Sequence, residues 1–513
     1  MPIYENLGQF NLGMFHGLSI TNLPDGAATL MRNVRIKQNA HLGSRLGHKI
    51  FSKDVIKSGI NTVPIDGLFE YNFGTTQKLI VVAGGKIYLY ESTTGVFTDT
   101  AVTVTSGKRC HFVEFYDSIV ITNGVDLPVR YNGSAWTNLT PPTPATESQV
   151  IFKFGTVYNG NLYMNDVNRP DRIWYCADYD LTSWPDTNYH LVPFSKYDDI
   201  TAMGAINEDT GALIFSKHGI WNLVGRGQYN TAPFLYALGI GSVAHETLKI
   251  NNGIPIWLDE DGFYTKGQNS MPERFRQLDS VFQTINMSRL TSAWAIQYKG
   301  QHDTGKQYWC ALTLGDNSTI NDYIFVYDYN SGGWYYYTNL PCKILVKGRD
   351  SNDRELIYSV SNDGWIYQLD IEVSDRNKAI SAMVITRPFS FRQMLGEFSK
   401  KFIKNLNYLH VFYRSKYPGS FNFMVTSDFT GTTFPNGGTE KAVVIQGEGA
   451  APAQYELDTV ESTTHFLIPK NAQYLKIPTS IRGRDLQVRI TCNDIAQDWD
   501  IFDIIAEGEV VGE

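Results

Sequence analysis

The chain has 513 residues, 42% hydrophobic and 13% aromatic, with only 19% charged. That excludes a disordered chain, and the length exceeds one ordinary core, so two or more ordered, β-rich domains are expected. The formal net charge of −8 argues against a protein that wraps nucleic acid by neutralising phosphates, though not against a channel that DNA passes through.

Residues 1–55 read as an extended arm. Leu23, Pro24, Asp25 and Gly26 have the chemistry of a turn. Ala27 to Arg32 reads as a single helical turn, Asn33 to Lys37 alternates as a strand, and Gly43 to Gly47 closes the segment. The arm is expected to lead into a ring of blades and to complete the last of them. Met1 to Asn6 lacks the basic and apolar regions of a secretory signal. No run approaches the roughly 18 apolar residues of a membrane span, so a soluble protein without a membrane-spanning segment is expected.

Residues 56–370 repeat one phrase: an apolar strand, a turn ending in glycine, and a second aromatic strand. Ile254 to Gln268 is the clearest copy, with the acidic turn Asp259, Glu260, Asp261 and Gly262. Other copies centre on Gly84 and Gly85, Gly124, Gly160, Gly219, Gly315 and Gly364. Glycine supplies the positive φ of a tight turn, and the β-branched and aromatic flanks suit a half-buried pleated surface. A second phrase, Arg130 to Trp136, parallels Asp328 to Trp334. Successive turn glycines lie roughly 35 to 60 residues apart, the period of propeller blades. The prediction is a β-propeller of six or seven blades; unrelated hairpins in a β-sandwich are the alternative. Pro141, Pro142 and Pro144 suggest a stiff, exposed loop between blades. Met271 to Ile285 predicts a helix, with Phe275, Leu278, Val281, Phe282 and Ile285 on one face.

From 371 to 513 the phrase disappears. Ala379 to Phe391, Lys400 to Arg414, Ser420 to Ser427, Gly483 to Thr491 and Trp499 to Ile505 read as strands, with a loop over Asp428 to Gly438. This predicts an antiparallel C-terminal β-domain of sandwich type, and the chain as a whole is all-β.

The chemistry sought is sparse. No Walker loop, HExxH or GxSxG occurs. The five cysteines, Cys110, Cys176, Cys310, Cys342 and Cys492, are widely spaced and include no CxxC, which suits free thiols. Cys110 adjoins His111, but nothing of metal-ligand spacing follows, so no metal is expected. Asp259, Glu260 and Asp261 have the residue type of glycosidase carboxylates, which act as pairs about 5 to 10 Å apart; as turn residues they read better as solvated turn formers. Ser361 to Trp365 approaches a sialidase-type Asp box with the wrong spacing. Trp334 to Tyr337 offers aromatics that could stack on sugars or pack between blades. Arg392, Lys400, Lys401, Lys404, Arg414 and Lys416 form a basic group that suits a phosphate backbone or acidic partner, or a solvated strand face. No enzyme and no cofactor are expected. Among the copied hairpins, Asp259, Glu260 and Asp261 become candidates for a negatively charged loop at a channel or interface.

The arm carries a resemblance. Gly17 and Leu18, Leu23 to Ala28, Asn33 to Arg35, and Arg45 to His48 resemble the opening of tail nozzle proteins of short-tailed bacteriophages, also called tail tubular or DNA-stabilisation proteins. Ile385 to Phe391 and Lys401 to Leu409 look like the start of that group's C-terminal domain. The resemblance implies a virion tail component, assembled in the host cytoplasm, whose six copies form a ring on the portal and adaptor. The ring would extend the channel for double-stranded DNA and gate genome retention and ejection, with tail fibres or spikes as further partners. The competing readings are a carbohydrate-binding or glycan-cleaving receptor-recognition propeller and a cellular propeller scaffold.

Overall fold

The computed structural model describes residues 2–8, 10–16, 23–37, 41–58, 60–74, 76–91, 94–144, 147–193, 198–207, 210–225, 230–266, 271–300, 305–315, 318–427, 473–512 and, as backbone, 439–445. Gly17, Leu18 and the loop at 428–438 lie outside the described residues.

Among the described residues seven four-stranded antiparallel blades follow one another and form a β-propeller; six are separate sheets and the sixth blade is one end of a ten-stranded sheet. Their first strands are Ile65–Phe73, His111–Phe115, Phe152–Tyr158, Ala202–Asn207, Lys249–Asn251, Trp294–Lys299 and Ile344–Arg349. Each packs beside the next, and as the inner strands of a propeller they surround its central channel. The ring closes between blades 7 and 1, where the Arg349 backbone N–H donates to Glu70 Oε1 at 2.9 Å. Each of the seven repeated phrases falls in a different blade.

Blade packing explains why these strands read as unbroken apolar runs. Asn161–Asp166, the second strand of blade 3, is buried throughout. Leu162 and Met164 point into a core shared with Val113 and Val120 of blade 2. Tyr163 points the other way, to Ile214 and Trp221 of blade 4. A strand in mid-blade faces a neighbour on both sides, so both faces are apolar. Each fully buried Leu or Val side chain contributes about 1.5–3 kcal/mol. The parallel phrases at Arg130 and Asp328 both form the turn between third and fourth strands, in blades 2 and 6.

Both ends of the chain build the remainder. Gly47–Ile50 is the fourth strand of blade 7, antiparallel to Ile366–Glu372. Ahead of it the arm enters the sandwich. Ile3–Asn6 pairs with Trp499–Gly512, and the hairpin Val34–Ile36 with Leu42–Ser44 joins the same sheet, which continues through Ile403–Ser415 to Gln473–Gly483. The second sheet grows out of blade 6. Its outer strand Trp334–Thr338 is followed by Gly13–Met14, Ala27–Arg32, Ala382–Thr386, Leu486–Cys492, Gly419–Ser427 and Thr439–Ile445. The sandwich is thus not made from residues 371–513 alone. Tyr413 and Phe421 (6.0 Å) and Phe421 and Trp499 (5.2 Å) pack between its sheets.

Three local expectations fail, each to tertiary packing. Ala27–Arg32 is a strand and not a helical turn, because it pairs with Ala382–Thr386. Met271 to Ile285 does not form one helix. Glu273–Arg274 completes the outer edge of blade 5 against Tyr264 and Thr265, leaving only the turns Arg276–Leu278 and Asp279–Phe282. The apolar face is still used: Phe275 packs on Tyr327 and Trp334, and Phe282 on Phe263. Pro141 and Pro142 are buried, not exposed. All five cysteines are unbonded and buried. Among the described residues no helix is long and apolar enough to cross a membrane.

Candidate functional site

The acidic turn joins Ile254–Asp259 to Gly262–Thr265, the second and third strands of blade 5. The strand of that blade on the bore is Lys249–Asn251, so the turn does not line the propeller's own bore. Its three acids have separate roles. Asp259 is buried and accepts the backbone N–H of Gly241 at 2.9 Å and of Glu260 at 2.8 Å, which ties the turn to the linker entering the blade. Burial raises its carboxyl above the ordinary value, against those two hydrogen bonds. Glu260 is exposed. Asp261 accepts from the Tyr264 hydroxyl at 3.0 Å and pairs with Arg274 at 3.3 Å.

The other sequence candidates also fall into structural roles. Trp334, Tyr335 and Tyr337 are buried and Tyr336 is half-buried, so this run is packing and no open sugar platform. Asp363 accepts the backbone N–H of Trp365 at 3.2 Å and the Tyr367 hydroxyl, holding a turn. The basic group is dispersed. Lys404 is buried and donates to the Ser399 carbonyl at 2.7 Å, Arg414 pairs with Asp500 at 2.7 Å, Arg392 pairs with Glu397, and Lys401 lies over Phe398. Burial pushes the Cys110 thiol up to about 12. Among the described residues no group of three or more His, Cys, Asp or Glu could hold a metal ion.

Two polar constellations were not singled out from the sequence. The first crosses the ring from one blade to another. His111, which opens the first strand of blade 2, contacts Glu246, just ahead of blade 5, at 2.8 Å. These blades are not neighbours, so the contact spans the axis. Beside it the Arg109 guanidinium donates to the carbonyls of Thr291 (3.1 Å) and Ser292 (2.5 Å) and lies 4.8 Å from the Trp294 ring. Burial lowers His111 even beside the carboxylate, and pushes His245, stacked on Phe154 at 4.6 Å, down to about 3. Burial alone would raise Glu246; Lys249 and His111 outweigh it and hold it ionised. His111 is therefore neutral near pH 7, and its Nδ1–H donates to the carboxylate.

The second constellation joins propeller to sandwich, and the arm residues that carry the resemblance form it. Arg45, fully buried, donates to Asp375 Oδ1 (2.9 Å) and Oδ2 (2.5 Å), to Asn33 Oδ1 (2.8 Å), and to the carbonyls of Leu46 and Thr338 (2.9 Å each). His48 Nδ1 lies 3.1 Å from the same Asp375. Asn33 adopts a left-handed φ of 56° and donates to Thr338 Oγ1 and the Ser381 carbonyl, both at 2.9 Å. Arg35 pairs with Asp370 at 3.5 Å, and Asp370 also accepts the Tyr298 hydroxyl at 3.0 Å. Arg387 clamps Glu5 (2.9 Å) and Asp25 (2.7 Å), linking the later resembling segment to the earlier one. The signal in the sequence was polar residues set inside strand-like stretches; their partners lie hundreds of residues away.

No protein-family model and no curated protein matches the sequence. Solved propellers are similar in fold. They include YCF48 bound to a D1 peptide (10% identity, TM-score 0.38, 63% of this chain and 99% of that one). BBS1N in complex with ARL6DN is 13% identical, with a TM-score of 0.42 over 65% of this chain and 99% of that one. The WD40 β-propeller domain of Doa1 is 10% identical, with a TM-score of 0.40 over 64% of this chain and 98% of that one.

Proposed function

We propose that this chain is a structural subunit of a short phage tail, six copies of which ring the end of the portal and adaptor to extend and gate the DNA channel. One observation carries the reading. The letters that carry the resemblance, Asn33, Arg35, Arg45, His48 and Arg387, are the ones that fasten the arm between propeller and sandwich. They thus support the arm, propeller and β-domain layout that the family implies. The His111–Glu246 contact across the propeller adds a constraint: DNA would run along the axis of the ring of chains, and not through one chain. A net charge of −8 suits that use, since like charge keeps DNA from adhering. Such a ring needs heterologous contacts that close by rotation. Electron microscopy of the purified chain, alone and with its neighbouring tail proteins, tests the reading. A six-fold ring on the particle axis is expected; a chain that stays monomeric with those neighbours overturns it.

A further inference from the structure

We propose that the cleft between blade 7 and the sandwich is a binding site for a small oxyanion, either a phosphate ester or a carboxylate. The cleft is a cavity of about 600 Å³ lined by His48, Asn339, Asp375, Arg376, Lys378 and Ala379. A cavity of about 290 Å³ shares His48 and Asn339 with it and adds Ser361, Asp322 and Asp363. These volumes suit a small molecule.

The lining holds two cations that form no ion pair among the described residues. Among the described residues Asp375 is the only carboxylate of the larger lobe, and Arg45 and His48 already engage it. His48 commits Nδ1 to Asp375, and its Nε2 has no partner among the described residues. The side chains of Asn339 and Lys378 have none either among the described residues. Among the described residues the Arg376 guanidinium meets only Tyr367, 5.8 Å from the ring and 3.5 Å from its hydroxyl. Two cations, Arg376 and Lys378, and the Asn339 amide therefore face one cavity, and neither cation forms an ion pair among the described residues. Arginine offers two parallel N–H groups to a phosphate or carboxylate, and lysine adds a point charge.

The backbone supports the same conclusion. Arg376 (φ 53°), Asn377 (φ 63°) and Asn339 (φ 63°) all adopt the left-handed conformation that residues with a β-carbon disfavour. Strain of this kind is retained where the surroundings hold it, and it clusters at ligand sites. Here it sets Arg376 and Asn339 on the cavity. A divalent cation does not suit such a lining. In the smaller lobe, Ser361, Asp322 and Asp363 offer oxygens to the hydroxyls of a sugar or polyol that carries the anion. The inference does not depend on ring assembly.

Calorimetric titration of the full chain at low salt, with inorganic phosphate, glucose 6-phosphate, glucuronate and uncharged glucose, tests it. Saturable binding of an anion and none of glucose is expected. Glucose 6-phosphate above glucuronate assigns a phosphate ester, and the reverse order a carboxylate. Arg376→Gly should weaken binding by about tenfold or more. Its melting temperature should hold or rise, because glycine adopts this backbone freely. Lys378→Met, which leaves the loop backbone alone, should weaken binding in the same direction. No saturable binding up to about 10 mM, or undiminished binding by both variants, overturns the proposal.

Discussion

Arg45→Ala tests whether the buried joint, rather than simple contact area, holds propeller and sandwich together. Arg45 is fully buried and makes two bonds to Asp375 and three more, to Asn33 Oδ1 and to the carbonyls of Leu46 and Thr338. Removing one partner of a buried ion pair costs about 3–5 kcal/mol, because the other charge stays buried without compensation. The three neutral acceptors add about 1–3 kcal/mol each where nothing replaces the donor. Relaxation around the site removes part of that sum, so a loss of at least about 3 kcal/mol is expected. Equilibrium urea unfolding measures it, and limited proteolysis should show cutting near 37–50 and 370–380 before the blades are lost.

The pH dependence gives an independent check. Burial alone would raise Asp375; hydrogen bonds from His48 and Arg45 and the charge of Arg45 outweigh it and hold the carboxyl below its ordinary value. A depressed folded value means the stabilisation is complete above the unfolded aspartate pKa of about 3.9. It is lost as pH falls through the lower folded value. The deficit of Arg45→Ala against the parent should therefore shrink as pH falls below about 4, where the orphaned carboxyl takes up a proton. A loss under about 1 kcal/mol at pH 7, or a deficit that does not change with pH, would refute the reasoning.

Three further outcomes follow from particular residues. Gly13 has a φ of 70°, and a β-carbon there would sit 2.6 Å from the Trp334 backbone nitrogen and 2.7 Å from Gly333 Cα. Gly13→Val should thus detach the arm from blade 6 and cost at least about 1–3 kcal/mol in strain alone, read by urea unfolding. Burial pushes Asp503 up to about 6, although Ile504 and Asn6 donate to it. The folded state then binds its proton more tightly than the unfolded chain, so stability falls as pH rises from about 4 to about 6 and is level above; Asp503→Asn should flatten that slope in melts at several pH values. Asp259→Ala should cost about 1–3 kcal/mol by stranding the Gly241 and Glu260 N–H groups. Asp261→Ala, with a side chain 55% exposed, should cost under about 1 kcal/mol, and equal urea midpoints for the two would contradict the roles assigned to them.

What the sequence determined by itself was the part of this protein written in local rules. Alternation with period two, β-branched and aromatic runs, and turn glycines follow from neighbouring residues alone, and they placed one hairpin in each blade. Tertiary structure decided where a local rule had a stronger competitor. Met271 to Ile285 has a helical face, but the open edge of blade 5 took Glu273–Arg274 as a strand and left two short turns. The acidic turn looked like one site until Asp259 was drawn into the Gly241 linker and Asp261 onto Arg274. The joint and the contact across the ring were the least legible. Asn33, Arg35 and Arg45 stand near one another in the arm, but Asp370 and Asp375 are over 300 residues away, and His111 meets Glu246 across the ring. Nothing local distinguishes a carboxylate that will be buried against a distant arginine from one that stays in water. The difference is a desolvation free energy, and it exists only once the ring and the sandwich have brought both ends of the chain together.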